Sequence, residues 1–213
     1  MRDLLIDGLD AYLERHASAT PVDPVLVEME ERAQRDAFPA IGRQVGRVLE
    51  IAARAIGARR VIELGSGFGY SAAWFARAVG EGGKVVCTEQ SQELADAGMD
   101  FMRRLGLAER VRYRIGEASE SLAEEEGSFD IILLDADKRR YPEHWRNASQ
   151  RIRIGGLYIC DNVLWSGRVA EAGPTDEDTA AIREHNQLVA ADARFLSTIL
   201  PLRDGVLLAL RVR

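Results

Sequence analysis

Val61-Ile-Glu-Leu-Gly-Ser-Gly-Phe-Gly-Tyr-Ser71 is the stretch around which the remainder of the chain is read. Val61 to Leu64 is an apolar run of strand length. Gly65, Gly67 and Gly69 follow with almost no side-chain bulk, and helical spacing resumes at Tyr70 and runs through Trp74 to Val79. A strand that breaks on glycines and re-enters a helix leaves free backbone N–H groups at a helix N-terminus, and lets the main chain approach a flat ligand closely. A dinucleotide fingerprint needs a small residue at position 70, where Tyr70 stands. Glu63 lies inside the strand, and a buried carboxylate needs a cation or hydrogen-bond donors. Together these features favour a nucleoside carrying positive charge over a pyrophosphate.

Strands and helices alternate on the C-terminal side of this turn. Lys84 to Thr88 reads as a strand ending at Glu89, and Ser91 caps a helix through Leu105 that closes at Gly106. Val111 to Ile115 alternates with arginines as a half-exposed strand, and Gly116-Glu-Ala118 turns into a short helix. Phe129 to Leu134 is a fully buried strand, followed by a helix from Tyr141 to about Arg151. Gly155-Gly156 turns the chain into a strand from Leu157 to Cys160, and a polar helix runs from about Thr175 to Ala191. Arg194–Leu200 and Val206–Arg211 close the chain as a hairpin through Pro201 and Asp204-Gly205. The pattern predicts an α/β protein, its mostly parallel sheet covered by helices on both faces, with an antiparallel strand at the end.

Before the glycine turn the chain is helical. Residues 1–20 put Leu4, Leu5, Leu9 and Leu13 on one face, Pro21 and Pro24 interrupt, Val25 to Arg35 follows, and Ile41 to Ile56 is an amphipathic helix closed by Gly57. The expected organisation is one domain over residues 1–213, with N-terminal helices at 1–57 added to a core at 58–213. The role of those helices, cap or subunit contact, stays open.

Composition narrows the class. With 213 residues, 46% of them hydrophobic, the chain has enough apolar surface for a full core. No apolar run reaches the ~20 residues of a membrane span, and the N-terminus lacks a signal-peptide layout. Cys87 and Cys160 both fall in apolar runs, which suits reduced thiols in the cytoplasm. A net charge of −6 offers no general attraction to nucleic acid. Only Lys84 and Lys138 are lysines; every other basic residue is arginine, which does not accept a proton.

Ligands of open α/β sheets bind off the carboxyl ends of the strands, and four strand ends here carry acids: Glu63, Glu89, Asp135 and Asp161. Glu89, 20 residues beyond Gly69, stands where a carboxylate accepts ribose hydroxyls. Ala118 would be a small residue beside a base. Asp135, Asp161 and Asn162 bring two carboxylates and an amide oxygen to one edge, a donor set that suits Mg²⁺ rather than zinc. The plain alternative is that both aspartates cap the next helices. Lys138 follows Asp135 by three residues, and near a dication and a cationic ligand its ammonium form is disfavoured, which would leave a neutral amine able to take a proton. Trp165, Tyr141 and Trp145 could wall an aromatic acceptor or be packing. His16, His144 and His185 form no cluster, and Glu124–Glu126 reads as a solvated helix end.

The segments Glu63–Ser71, Phe129–Lys138, Gly155–Val169 and Leu200–Gly205 resemble, in order over residues 38–213, the cation-dependent O-methyltransferases, the family of catechol and caffeoyl-CoA O-methyltransferases. The resemblance implies a class I methyltransferase fold, a Rossmann-like three-layer sandwich with a seven-stranded sheet. It implies S-adenosylmethionine as donor, a divalent metal (Mg²⁺, Mn²⁺ or Ca²⁺) and a homodimer. By position it implies donor contacts from Ile41, Glu63, Gly65, Gly67, Tyr70, Ser71, Glu89, Ala118, Asp135 and Asp137. It further implies metal ligands Asp135, Asp161 and Asn162, catalysis by Lys138 and Asp135, and acceptor contacts from Lys138 and Trp165. Three departures stand out: Ser66-Gly67-Phe68 in place of a threonine-rich loop, Arg153-Ile154 in place of Arg-Pro, and Ser166 where some plant members carry a substrate-binding Asn. The expected acceptor is a small catechol-like aromatic with vicinal oxygens. Two alternatives remain: methylation of a hydroxylated wobble uridine in tRNA, through Arg43, Arg47, Arg139, Arg140 and Arg168, or a nucleotide-binding module without metal dependence.

Overall fold

A computed structural model describes residues 8–173 and 175–213, without the side chain of Asp10. The part of the first helical stretch that holds Leu4 and Leu5 lies outside the described residues. The chain opens with α1 (Leu9–Ala19), α2 (Pro24–Arg35) and α3 (Gly42–Ala55). Pro24 does not break a helix here. It occupies the first turn of α2, where its missing N–H is harmless, and Asp23 caps that turn through the N–H of Val25 at 2.9 Å.

The core then alternates: β1 (Arg60–Leu64), α4 (Tyr70–Ala78), β2 (Lys84–Glu89), α5 (Gln92–Arg104), β3 (Val111–Ile115), α6 (Ala118–Glu124), β4 (Phe129–Leu134), α7 (Tyr141–Ala148), β5 (Ile152–Cys160), α8 (Glu177–Ala191), β6 (Phe195–Leu200) and β7 (Val206–Arg211). The seven strands lie in the order β3-β2-β1-β4-β5-β7-β6. β3, β2, β1, β4 and β5 pair in parallel, and β7 runs antiparallel between β5 and β6. The sheet reverses its winding at β1, between β2 and β4, the point where ligands gather in folds of this kind.

Period-two alternation assigns each strand residue to a face. Val61, Ile131 and Ile159 pack with α3, α4 and α5 through Leu49, Trp74, Phe75 and Phe101. Ile62, Ile132 and Tyr158 pack on the other side with Trp145 of α7 and Ile182 of α8. Trp74 is fully buried, and truncating it to alanine would cost about 3–5 kcal/mol.

Four sequence expectations are settled or changed by the structure. Gly155-Gly156 does not turn the chain into a strand; both glycines lie within β5, which begins at Ile152. They form an irregularity where the register slips between Phe129 and Ile131, with Gly155 at φ 76°. α7 therefore ends at Ala148, because Ile152 is already paired with Phe129. Glu125 is not a solvated acid but 6% exposed, and its carboxylate takes Arg112, Arg114 and Arg60. Tyr141 and Trp145 are core residues rather than walls of a pocket. The Trp145 ring packs edge-on to Tyr158 at 4.8 Å and to Phe195 at 4.9 Å.

Candidate active site

The carboxyl ends of β1, β2, β3 and β4 open into a cleft of about 490 Å³. One wall is the chain between α2 and α3, Phe38 to Ile41, so the N-terminal helices contribute directly to the cleft. They are tied to the core there. Tyr70, at the start of α4, donates to Glu30 of α2 at 2.6 Å, and Arg43 of α3 donates to the same carboxylate at 2.5 and 3.0 Å.

The floor is the glycine turn. Gly65 has φ 89°, and a Cβ there would lie 2.2 Å from the carbonyl oxygen of Asp135. Only glycine lets β1 and β4 end this close together. Gly67 has the same freedom at φ 52° and lies under Phe38, whose ring packs on Phe68 at 4.9 Å. Glu89 locks the turn from the side. One carboxylate oxygen accepts from Gly67 N at 2.9 Å and the other from Gln90 N and Ser91 N, each at 2.9 Å.

Of the residues expected at the donor, Ile41, Gly65, Gly67, Tyr70, Ser71, Glu89, Ala118, Asp135 and Asp137 all line this cleft. Glu63 does not. It is 0% exposed, on the face of β1 toward Cys87, and its Oε1 has no hydrogen-bond partner among the described residues. Burial pushes its carboxyl up to about 8, against the lowering effect of the Ser71 and Ser66 hydroxyls.

The second half of the site lies at the ends of β4 and β5. Leu134 pairs with Cys160, so Asp135 and Asp161 are the next residues on adjacent parallel strands. The ladder continues through them: Asp135 N donates to Leu64 O at 2.9 Å, and Asp161 N donates to Leu134 O at 3.1 Å. Asp161 is 5% exposed, and burial together with the charge of Asp135 pushes its carboxyl up to about 7. Asn162 has φ 59°, a left-handed conformation that asparagine tolerates and that marks functional turns. Its Nδ2 lies 3.4 Å from Asp161 Oδ2. Among the described residues no group of three or more His, Cys, Asp or Glu is arranged to hold an ion; the candidate set is two carboxylates and one amide.

Lys138 stands in a 3-10 turn (Lys138–Arg140) that Asp137 caps through Arg139 N at 3.2 Å. Its Nζ donates to Asp135 Oδ1 and to the Tyr141 hydroxyl, both at 2.8 Å. Trp165 is outside the cleft lining. It lies in the loop after β5, at φ 49°, with the Arg168 guanidinium 4.5 Å from its ring centroid. That loop is held by the β6–β7 turn: Val163 N donates to Gly205 O at 3.2 Å and Leu164 N to Asp204 O at 2.9 Å.

Sequence reasoning gave no role to His144, yet it lines the cleft beside Ala118, with Nδ1 3.0 Å from Ser119 Oγ and its pKa lowered by burial. Phe38, Glu117 and Arg140 also line it, the last two joined by a 2.5 Å ion pair. A small residue at 118 was the only sequence signal pointing to that end.

A glycine floor, an acid after β2 and a fold that reverses at β1 define a nucleoside-binding α/β enzyme of the class I methyltransferase type. The chain belongs to the O-methyltransferase family, whose model matches residues 15–212. A catechol O-methyltransferase of Niastella koreensis is 33% identical over 99% of both chains. Tricin synthase 1 of Oryza sativa subsp. japonica is 36% identical over 73% of this chain and 68% of its own. The crystal structure of an O-methyltransferase from Bacillus cereus in complex with SAH, the demethylated donor, superposes with a TM-score of 0.85 at 32% identity, covering 96% of this chain and 97% of that one. The protein is thus an S-adenosylmethionine-dependent O-methyltransferase.

Proposed function

We propose that this enzyme methylates a hydroxyl of a small aromatic acceptor bearing a neighbouring oxygen, with a divalent cation at Asp135, Asp161 and Asn162 and with Lys138 as proton acceptor. The observation that carries this is the β4–β5 register, which sets two carboxylates side by side at the edge of the donor cleft, next to a lysine amine. The donor set fits a hard cation. Asp161 is buried beside a like charge, a situation that a dication relieves, and an amide oxygen completes an all-oxygen set. Mg²⁺ is the expected ion, with Mn²⁺ or Ca²⁺ compatible with the same donors.

When bound, the ion would lower the pKa of an acceptor hydroxyl, and the donor would supply an electrophilic methyl on a sulfonium sulfur. The chain's own part follows from its geometry. Glu89, fixed by three N–H groups, leaves lone pairs for ribose hydroxyls. Gly65 and Gly67 let the main chain approach the donor, and Phe38 to Ile41 cover it from water. Lys138 Nζ takes the acceptor's hydroxyl proton. Most of the acceleration comes from holding the oxygen and the methyl in line.

The small-molecule reading is favoured over a tRNA acceptor by the partners of the candidate arginines, of which only Arg140 lines the cleft. Arg43 is bound to Glu30, Arg47 to Glu50, Arg139 to Glu177 and Asp178, Arg140 to Glu117 and Glu143, and Arg168 to Asp176. Cations paired in this way are poorly disposed to meet phosphates. The test is methyl transfer from S-adenosylmethionine to catechol and to undermodified tRNA, each with Mg²⁺ and with excess chelator. Product from catechol only in the presence of metal is the expected result. Undiminished turnover in chelator would remove the metal, and product from tRNA alone would remove the small acceptor.

A further inference from the structure

We infer that Tyr141 is a positioning residue that aims the reactive direction of the Lys138 amine into the cleft; this rests on the reading of Lys138 as proton acceptor. Tyr141 is 0% exposed, and its hydroxyl lies between two partners. It donates to the main-chain carbonyl of Asp161 at 3.1 Å and accepts from Lys138 Nζ at 2.8 Å. The assignment of donor and acceptor follows from chemistry: a carbonyl oxygen only accepts, so the single phenolic hydrogen belongs there, and the oxygen turns a lone pair toward the lysine.

An amine nitrogen has three directions besides its own carbon. Asp135 Oδ1, an acceptor, takes one N–H at 2.8 Å, and the Tyr141 oxygen takes a second. In the neutral amine the lone pair is left in the third direction. Both neighbours are acceptors, so neither can receive the lone pair. Lys138 itself lines the cleft, so the open direction is the one available to an acceptor hydroxyl. Without the Tyr141 oxygen the amine is free to rotate, and only roughly one staggered setting in three leaves the lone pair where it is useful.

The phenol is held rigidly for this task. Its ring meets His185 edge-on at 5.4 Å. His185 is fixed by Tyr158 at Nε2, 2.8 Å, and by Asn186 Oδ1 at Nδ1, 3.0 Å, while Asn186 Nδ2 donates to Val163 O at 2.9 Å. The Asn186 amide is thereby oriented with its oxygen toward the imidazole, so Nδ1 carries the proton and Nε2 accepts from Tyr158. Tyr141 thus joins the base on the β4 side to the strand that carries Asp161 and Asn162. Any shift of one relative to the other strains its two hydrogen bonds.

The test compares Tyr141→Phe, Lys138→Ala and the double variant, following steady-state methyl transfer over a range of catechol concentrations with Mg²⁺ and SAH binding by calorimetry. Tyr141→Phe is expected to lower kcat roughly 10- to 100-fold, the scale of a misplaced catalytic group. Acceptor KM and SAH affinity should stay within about two-fold, and the substitution should add nothing in the Lys138→Ala background. A kcat within about two-fold of wild type, or an equal fall in the Lys138→Ala background, overturns the inference. If Tyr141→Phe fails to bind SAH, 4-aminophenylalanine at position 141 replaces it. Its nitrogen still donates to the Asp161 carbonyl but accepts poorly from Lys138, and the same fall in kcat is expected. Wild-type turnover by Lys138→Ala is a separate failure: the base assignment itself falls, whatever Tyr141→Phe does.

Discussion

Glu89 and Asp161 are both acids at strand ends, separated by three strand spacings, or roughly 14 Å across the sheet, and their surroundings are opposite. Glu89 meets three main-chain N–H groups. Asp161 is buried next to another carboxylate, and the Lys138 amine nearby is turned to Asp135 instead. Under the proposed function the Glu89 side is the donor half of the site, finished by the backbone alone, and the Asp161 side is the acceptor half, balanced once a dication is added.

The comparison breaks most completely at the joint between the halves. Gly65→Ala would drive a methyl into the Asp135 carbonyl at a positive φ. It is expected to cost about 3 kcal/mol or more in a urea melt and to abolish the SAH-induced thermal shift. Wild-type SAH binding in that variant would show that the two strand ends separate freely.

Glu89→Gln separates the halves. SAH affinity should fall about 10- to 100-fold by calorimetry, equal to about 1.4–2.7 kcal/mol, while the response to Mg²⁺ is unchanged. An equal loss of both responses would mean that the halves are not independent.

Asp161→Asn has the most telling sign. The folded-state pKa of Asp161, about 7, lies above its ordinary 3.8, so the folded state holds the proton more tightly than the unfolded chain. Wild type therefore loses stability from this group as pH rises from about 4 to about 7, and the loss is complete above pH 7. In metal-free buffer at pH 8 the Asn variant should melt higher than wild type, with the gap closing near pH 4. Adding Mg²⁺ should raise the melting temperature of wild type and leave the variant where it was. A variant less stable than wild type at pH 8 without metal would contradict the picture of two opposed carboxylates.

Much of this was legible from the residues alone. The glycine turn, the acids at the ends of β2, β4 and β5 (Glu89, Asp135 and Asp161) and the closing hairpin follow from local pattern, since period-two runs and glycine clusters report directly on backbone conformation. What stayed hidden depends on neighbours far away in the chain. Glu125 looked solvated because Arg112, Arg114 and Arg60 reach it from β3 and β1. His144 carried no signal because its partner, Ser119, belongs to another helix. Gly155-Gly156 read as a turn because an irregularity within a strand and a turn between elements use the same residues; only the pairing with β4 separates them. Of the wall from Phe38 to Ile41 only Ile41 was expected at the cleft, and only through the family resemblance; no periodicity could reveal the other three.

That wall has a consequence for how the molecule is made. Phe38 to Ile41 leave the ribosome before any strand exists, yet the surface they close on includes Asp135 and Lys138, synthesised almost a hundred residues later. The first part of the cleft to be translated is therefore the last that can find its place. Until β4 joins β1, α2 and α3 can lean on α1, α4 and α5, but the wall they carry lacks the far side of the cleft, and its closure becomes a late, long-range step of folding.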